Sequence, residues 1–211
     1  MVNEKIDQAI EILKEKKVDL WLTFARETDS TPDPVLELIL GTQCVWPSAF
    51  LITQDGKAIA IVGSLDAHNV KEHARYEVIS YIDSIKEDLL KTIRKLNPGK
   101  IAINYSLSNV AADGLTHGMY LILCEYLKGT PFQKRFVSSE DIVAAVRGRK
   151  SQTEINLIQD AIRETLSIFD RVTEQVHIGL SEQEVADFME IDYVVLSAKE
   201  LGAKAKKKAA R

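Results

Sequence analysis

Two apolar runs, Ala49–Thr53 and Lys57–Val62, flank Gln54-Asp55-Gly56. Asp-Gly enters the positive-φ region of a tight turn at little cost, so the pair is expected to close as an antiparallel hairpin. The segments around it are of another kind, because helical and extended patterns alternate from residue 3 to residue 137. A helix is expected over 3–16, with Ile6, Ile10 and Leu13 on one stripe. A strand over Val18–Phe24, helical turns over Val35–Leu40 and a helix over Leu65–Arg75 come next. They are followed by strand Glu77–Ile82, helix Ile85–Leu96 capped by Ser84, and strand Lys100–Asn104. Helix His117–Leu127 and a short strand at Phe136-Val137 complete the series. Helical crossovers join parallel neighbours, and the hairpin adds one antiparallel member. The chain therefore predicts an α/β class fold, a three-layer α/β/α domain with a mixed sheet.

Beyond residue 137 the pattern turns helical. Ser138 and Asp141 should open a short helix, Asp141–Val146, broken by Arg147-Gly148-Arg149-Lys150. Ser151-Gln152-Thr153-Glu154 matches a capping box, in which serine and glutamate satisfy each other's free backbone donors. Ile155, Ile158, Ile162, Phe169, Val172 and Val176 then recur at helical spacing up to Gly179, a helix of about 25 residues. Ser181 and Glu184 form a second box, followed by Val185, Phe188 and Met189 on one face. Such stripes need a covering surface, and self-association or docking onto the α/β domain is expected.

At 211 residues the chain has room for one domain and part of another. Its net charge of −4 argues against a whole-protein nucleic-acid binder. Lys204, Lys206, Lys207, Lys208 and Arg211 form a basic tail, read most simply as a solvated helix end or truncation scar. The two cysteines, Cys44 and Cys124, lie among apolar neighbours and are expected to be buried thiols. With no secretory leader pattern and no apolar run of about 18 residues, a soluble cytoplasmic protein is expected.

Self-contained catalytic motifs do not stand out. His68, His73, His117 and His177 lack metal-ligand spacing to a carboxylate or cysteine, and no phosphate loop or nucleophile elbow occurs. Four residues are candidate contacts for a cleft or partner. Arg26 and Glu27 follow a strand, where open α/β sheets collect ligands, although loop surface charges would look the same. Trp46 precedes Pro47 and is either core cover or an exposed contact. His117 opens a helix and either faces a cleft or makes a local hydrogen bond. Asp29–Asp33 lacks the ligand alternation of a calcium loop and reads as a rigid, proline-bounded turn.

Ser139–Met189 carries Asp141-Ile142-Val143, Arg147-Gly148-Arg149-Lys150-Ser151, Glu154-Ile155, Ile158, Ala161, then Gly179-Leu180-Ser181-Glu182 and Glu184. This string resembles the domain junction of the creatinase / prolidase / aminopeptidase P "pita-bread" metallopeptidases, and residues 1–137 resemble their N-terminal domain in order and length. The loop from Ala25 to Pro47 departs from the commoner family pattern. The resemblance implies a ribonuclease-H-like N-terminal domain over 1–137, a junction over 138–150, the first helices of a truncated catalytic domain over 151–203, and the tail over 204–211. It implies a parent Xaa-Pro aminopeptidase or dipeptidase-like hydrolase with two divalent metal ions (Mn, Co or Zn) held by two aspartates, a histidine and two glutamates. Those ligands lie beyond the second helix in the family, and Asp187 and Asp192 match its structural segment instead. No catalytic or metal-binding residue is therefore assigned in this chain, and it is expected to be inactive alone. Its expected role is substrate access and dimerisation; a non-catalytic protein- or peptide-binding module is the alternative. The implied partners are a second copy of the chain and, in the parent, a peptide substrate; neither membrane nor nucleic acid is expected.

Overall fold

In a computed structural model of the chain, residues 1–190 are described; the basic tail, Asp192 and the rest of 191–211 lie outside them. The order is α1 (Val2–Lys16), β1 (Leu20–Ala25), α2 (Leu36–Ile39), β2 (Ser48–Thr53), β3 (Ala58–Gly63), α3 (Ala67–His73) and β4 (Glu77–Tyr81). Then come α4 (Lys86–Leu96), β5 (Ile101–Ile103), α5 (His117–Tyr126), β6 (Phe136–Ser138), α6 (Glu140–Gly148) and α7 (Gln152–Gln175). Two compact units result, one spanning Met1–Ser151 and one beginning at Gln152.

The first unit is built on one sheet of order β4-β3-β2-β1-β5-β6. The hairpin pairs Ala49 with Ile61 and Ile52 with Ala58, as the Asp-Gly turn requires, and Gly56 takes a φ of 95° there. β2 is antiparallel to both neighbours; β3–β4, β1–β5 and β5–β6 are parallel. All strands except β2 consequently end at the same edge of the sheet.

Side-chain alternation sorts each central strand between two cores. Leu20, Leu22 and Phe24 of β1 join Leu51, Ile61, Ile103 and the α4/α5 residues Leu89, Ile93, Met119 and Leu123. Trp21 and Ala25 point the other way, with Phe50, Val62, the α1 residues Ile6 and Leu13, and Ile142, Val143 and Val146 of α6. Both faces of the strands are covered, which is why they read as continuous apolar runs.

Residues 138–150 are woven into this unit. α6 starts at Glu140, with its N–H donating to Ser138 Oγ at 3.1 Å, and runs through Gly148 rather than stopping at Val146. Its end is held from α1: the buried Lys5 ammonium donates to the carbonyls of Val146 (2.8 Å) and Arg149 (2.7 Å), and Arg149 pairs with Glu15 at 2.5 Å. A cation on the last free carbonyls stabilises a helix C-terminus, so Gly148 need not break it. α4 begins at Lys86, one residue after the expected Ile85, and Ser84 Oγ accepts the Lys86 N–H at 3.3 Å, the bond two residues ahead that a capping serine makes.

In the second unit α7 runs for 24 residues and stops at Gln175, short of Gly179. Gly179 instead turns at φ 106° before the second capping box. That box forms as expected. Ser181 N–H donates to Glu184 Oε2 at 2.8 Å and Glu184 N–H to Ser181 Oγ at 3.3 Å. The chain is helical from 182 to 190, with Val185, Phe188 and Met189 half-buried.

Candidate binding cleft

The carboxyl end of β1 opens into a cleft of about 540 Å³. Phe24 and Met119 lie at its base, Trp46 and Pro47 form a wall, and Arg26, Glu27, Ser30 and Thr31 stand at the rim. Three of the four expected contact residues meet here. His117 lines an adjoining cleft instead, sharing only Thr116 with the first, and its ring stacks on Tyr120 with centroids 6.5 Å apart.

The rim is rigidly held. Glu27 has a φ of 46°, a left-handed conformation that costs a non-glycine residue on the order of 1–3 kcal/mol unless its surroundings impose it. Here they do. Glu27 N–H donates to the Val45 carbonyl and Thr28 N–H to that of Cys44, each at 3.0 Å, while Cys44 N–H donates to Thr28 Oγ1 at 2.8 Å. The segment after β1 is thus laced to the segment before β2.

Trp46 is fixed from three sides. Buried Asp66 accepts the N–H of Val45 (3.2 Å) and of Trp46 (3.3 Å). The indole lies so close over Gly63 that a Cβ there would come within 2.5 Å of it. Tyr81 packs at 5.9 Å between ring centroids and donates its hydroxyl proton to the Pro47 carbonyl at 2.7 Å. Burial pushes the Tyr81 phenol up to about 12, so it remains a donor at physiological pH. Only glycine lets the ring come this near the sheet, and Trp46 is half-buried, packed over Gly63 while also lining the cleft.

Beneath the cleft lies a polar cluster that sequence patterns did not reveal. Asn104, just after β5, is buried and uses its whole amide. Its Oδ1 accepts from the Trp21 indole (2.7 Å) and the Ser139 hydroxyl (2.8 Å). Its Nδ2 donates to Thr23 Oγ1 (3.2 Å) and Asp33 Oδ2 (2.7 Å). Asp33 also accepts the Val35 N–H at 3.1 Å. Burial raises the Asp33 carboxyl above its ordinary value, and the Asn104 hydrogen bond works against that rise. Gly114 touches this carboxylate, where a Cβ would stand 2.1 Å from Asp33 Cγ. Trp21 and Thr23 share β1, but Asp33, Asn104 and Ser139 each come from another segment, so no local spacing announces the set.

The cleft presents a cation, an anion and an aromatic face on a stiff frame, which is a geometry for binding. Among the described residues no three His, Cys, Asp or Glu side chains converge to hold a metal ion, so the residues present do not fit a dinuclear centre. Nor is any described helix long and apolar enough to cross a membrane. Cys44 is buried as expected, whereas Cys124 is only half-buried.

No protein-family model and no curated protein matches the sequence. Solved structures do match the fold. A Creatinase/Prolidase N-terminal domain of an X-Pro dipeptidase from Streptococcus pyogenes is covered over 99% of its length by 70% of this chain, at TM-score 0.50 and 16% identity. The fold is that of a creatinase/prolidase N-terminal domain. Longer proteins match as well. An Xaa-Pro dipeptidase from Bacillus anthracis aligns with 90% of this chain at TM-score 0.58 and 19% identity. An X-Pro aminopeptidase from Thermotoga maritima aligns with 89% at TM-score 0.57 and 20% identity. The chain spans 48% of the length of each, so about half of these relatives has no counterpart in it.

Proposed function

We propose that this chain is the N-terminal, substrate-access and dimer-forming portion of an Xaa-Pro dipeptidase- or aminopeptidase P-like hydrolase. The observation that carries the reading is the extent of the likeness. The isolated domain from Streptococcus pyogenes takes in 70% of this chain, whereas the longer enzymes take in 89–90%. The likeness thus reaches past a free-standing N-terminal domain, as the Ser151–Glu184 motifs imply. In this role the 540 Å³ cleft borders the route of a peptide, with Arg26, Glu27 and Trp46 as its contacts.

The catalytic metals and their ligands belong to the part of such an enzyme that this chain does not match. The test compares the 211-residue chain with the whole protein that carries it, using Xaa-Pro dipeptides and added manganese. The chain alone should be inactive and dimeric by light scattering. The whole protein should hydrolyse the bond before proline, and Trp46→Ala there should raise KM with kcat little changed. Turnover by the 211-residue chain that survives re-purification would overturn the reading. Inactivity of the whole protein on every Xaa-Pro peptide would do so equally, and would favour a binding module.

A further inference from the structure

The larger cleft, about 740 Å³, lies beside α5 and the ends of β5 and β6. We propose that it binds an organic cation carrying N–H donors, a guanidinium or a primary ammonium group. The reading is independent of any peptidase role.

Its lining is chemically one-sided. Tyr105, Tyr120 and Phe136 supply three aromatic rings, and His117 stacks on Tyr120 at 6.5 Å. Aromatic faces carry the negative side of the ring quadrupole and attract cations, more strongly as water is excluded. Among them Asp113 and Gln133 supply acceptors. Asp113 is a carboxylate with one oxygen engaged by the Ser106 N–H at 3.3 Å, leaving the other for a ligand. Gln133 donates one amide hydrogen to the Cys124 carbonyl, and its amide oxygen is an acceptor for the cleft. No lysine or arginine lines the site, so an anion would find no counter-charge there. A planar or compact cation finds π faces, a carboxylate and an amide oxygen together, the set that such groups pair with.

Two exposed apolar residues lie in the stretch of chain between the lining residues Tyr105 and Asp113, and they would offer surface to a ligand larger than the cation itself. Leu107 and Val110, in the loop that Tyr105 begins, are 101% and 86% exposed. The cation can be free in solution or be an arginine or lysine side chain of a peptide whose apolar neighbours touch this loop.

Amide and side-chain NMR of the 211-residue chain, titrated with N-acetyl-L-arginine methylamide, tests the assignment. Saturable shifts are expected at Tyr105, His117, Tyr120 and Gln133, with a dissociation constant on the order of 1–10 mM. Asp113→Asn and Tyr120→Leu should each weaken binding by about fivefold, the worth of one exposed cation–π or charge-assisted contact. Both positions are exposed, so the variants should keep the wild-type spectrum elsewhere. The citrulline analogue, equal in shape but uncharged, should not bind. Acetyl-Leu-Arg-Leu-amide separates the sources. Binding at least about tenfold tighter than the single residue identifies a peptide that also uses Leu107 and Val110; equal binding identifies a free small cation. Equal shifts with the citrulline analogue, no saturable shift, or unchanged affinity in both variants would overturn the proposal.

Discussion

Replacing Asn104 by leucine keeps the number and branching of side-chain heavy atoms and removes all four side-chain hydrogen bonds that Asn104 makes beneath the cleft. The Trp21 indole N–H, the Ser139 hydroxyl, Thr23 Oγ1 and the Asp33 carboxylate would each lose a partner while remaining buried. A neutral hydrogen bond contributes about 1 kcal/mol net and one to a charged group about 1.5–3 kcal/mol. Allowing for shared relaxation within one network, Asn104→Leu should destabilise the first unit by about 4 kcal/mol at pH 7. The loss should also depend on pH, and the sign follows from Asp33. Burial raises its native carboxyl above the unfolded value of 3.8, so the native state holds its proton more tightly and stability falls as pH climbs through the native value. The Asn104 hydrogen bond restrains that rise. Without it the native value moves further up, and the variant gives up more stability over the same climb. Urea unfolding followed by tryptophan fluorescence at pH 7 and near pH 4 should therefore show a larger difference from wild type at pH 7. A loss below about 1 kcal/mol, or one identical at both pH values, would refute the view of Asn104 as the fully engaged centre of the cluster.

Two other expectations concern the first cleft. Gly63→Ala drives a methyl into the Trp46 ring, whose nearest atom lies 2.5 Å from the added Cβ, so the indole must swing away. A changed Trp46 emission and a stability loss of about 1–3 kcal/mol are expected; unaltered emission would contradict the fixed wall. Burial pushes the Cys44 thiol up to about 12, leaving it protonated and shielded at neutral pH. A disulfide reagent should label one thiol per native chain, Cys124, and reach Cys44 only on unfolding, whereas rapid labelling of both would argue against a closed Thr28–Cys44 tie.

The elements legible in the sequence were those whose cause is local. The Asp-Gly hairpin, the amphipathic stripe of α1 and the Ser181–Glu184 box depend on residues within a few positions of one another, and they stand where expected. α6 and α7 ended elsewhere for opposite reasons. α6 reaches Gly148 because Lys5, 141 residues before Val146, holds the carbonyls at its end. α7 stops before Gly179 because that glycine serves the turn ahead of the next cap.

The candidate contacts divide in the same way. A charged pair after a central strand placed Arg26 and Glu27 at a strand's carboxyl end from sequence alone. That Trp46 shares their cleft depends on Gly63 and Asp66, which approach it only when β2 and β3 pair. His117 lies in another cleft because α5 carries it toward Tyr105 and Phe136 rather than toward β1. The sequence by itself determined an α/β layering, since alternating apolar residues on short strands need a helix on each face. Which polar residues meet was decided only by the tertiary structure. Asn104, Asp33, Trp21 and Ser139 come from four segments, and the requirement that each buried polar group find a partner acts between segments, through space.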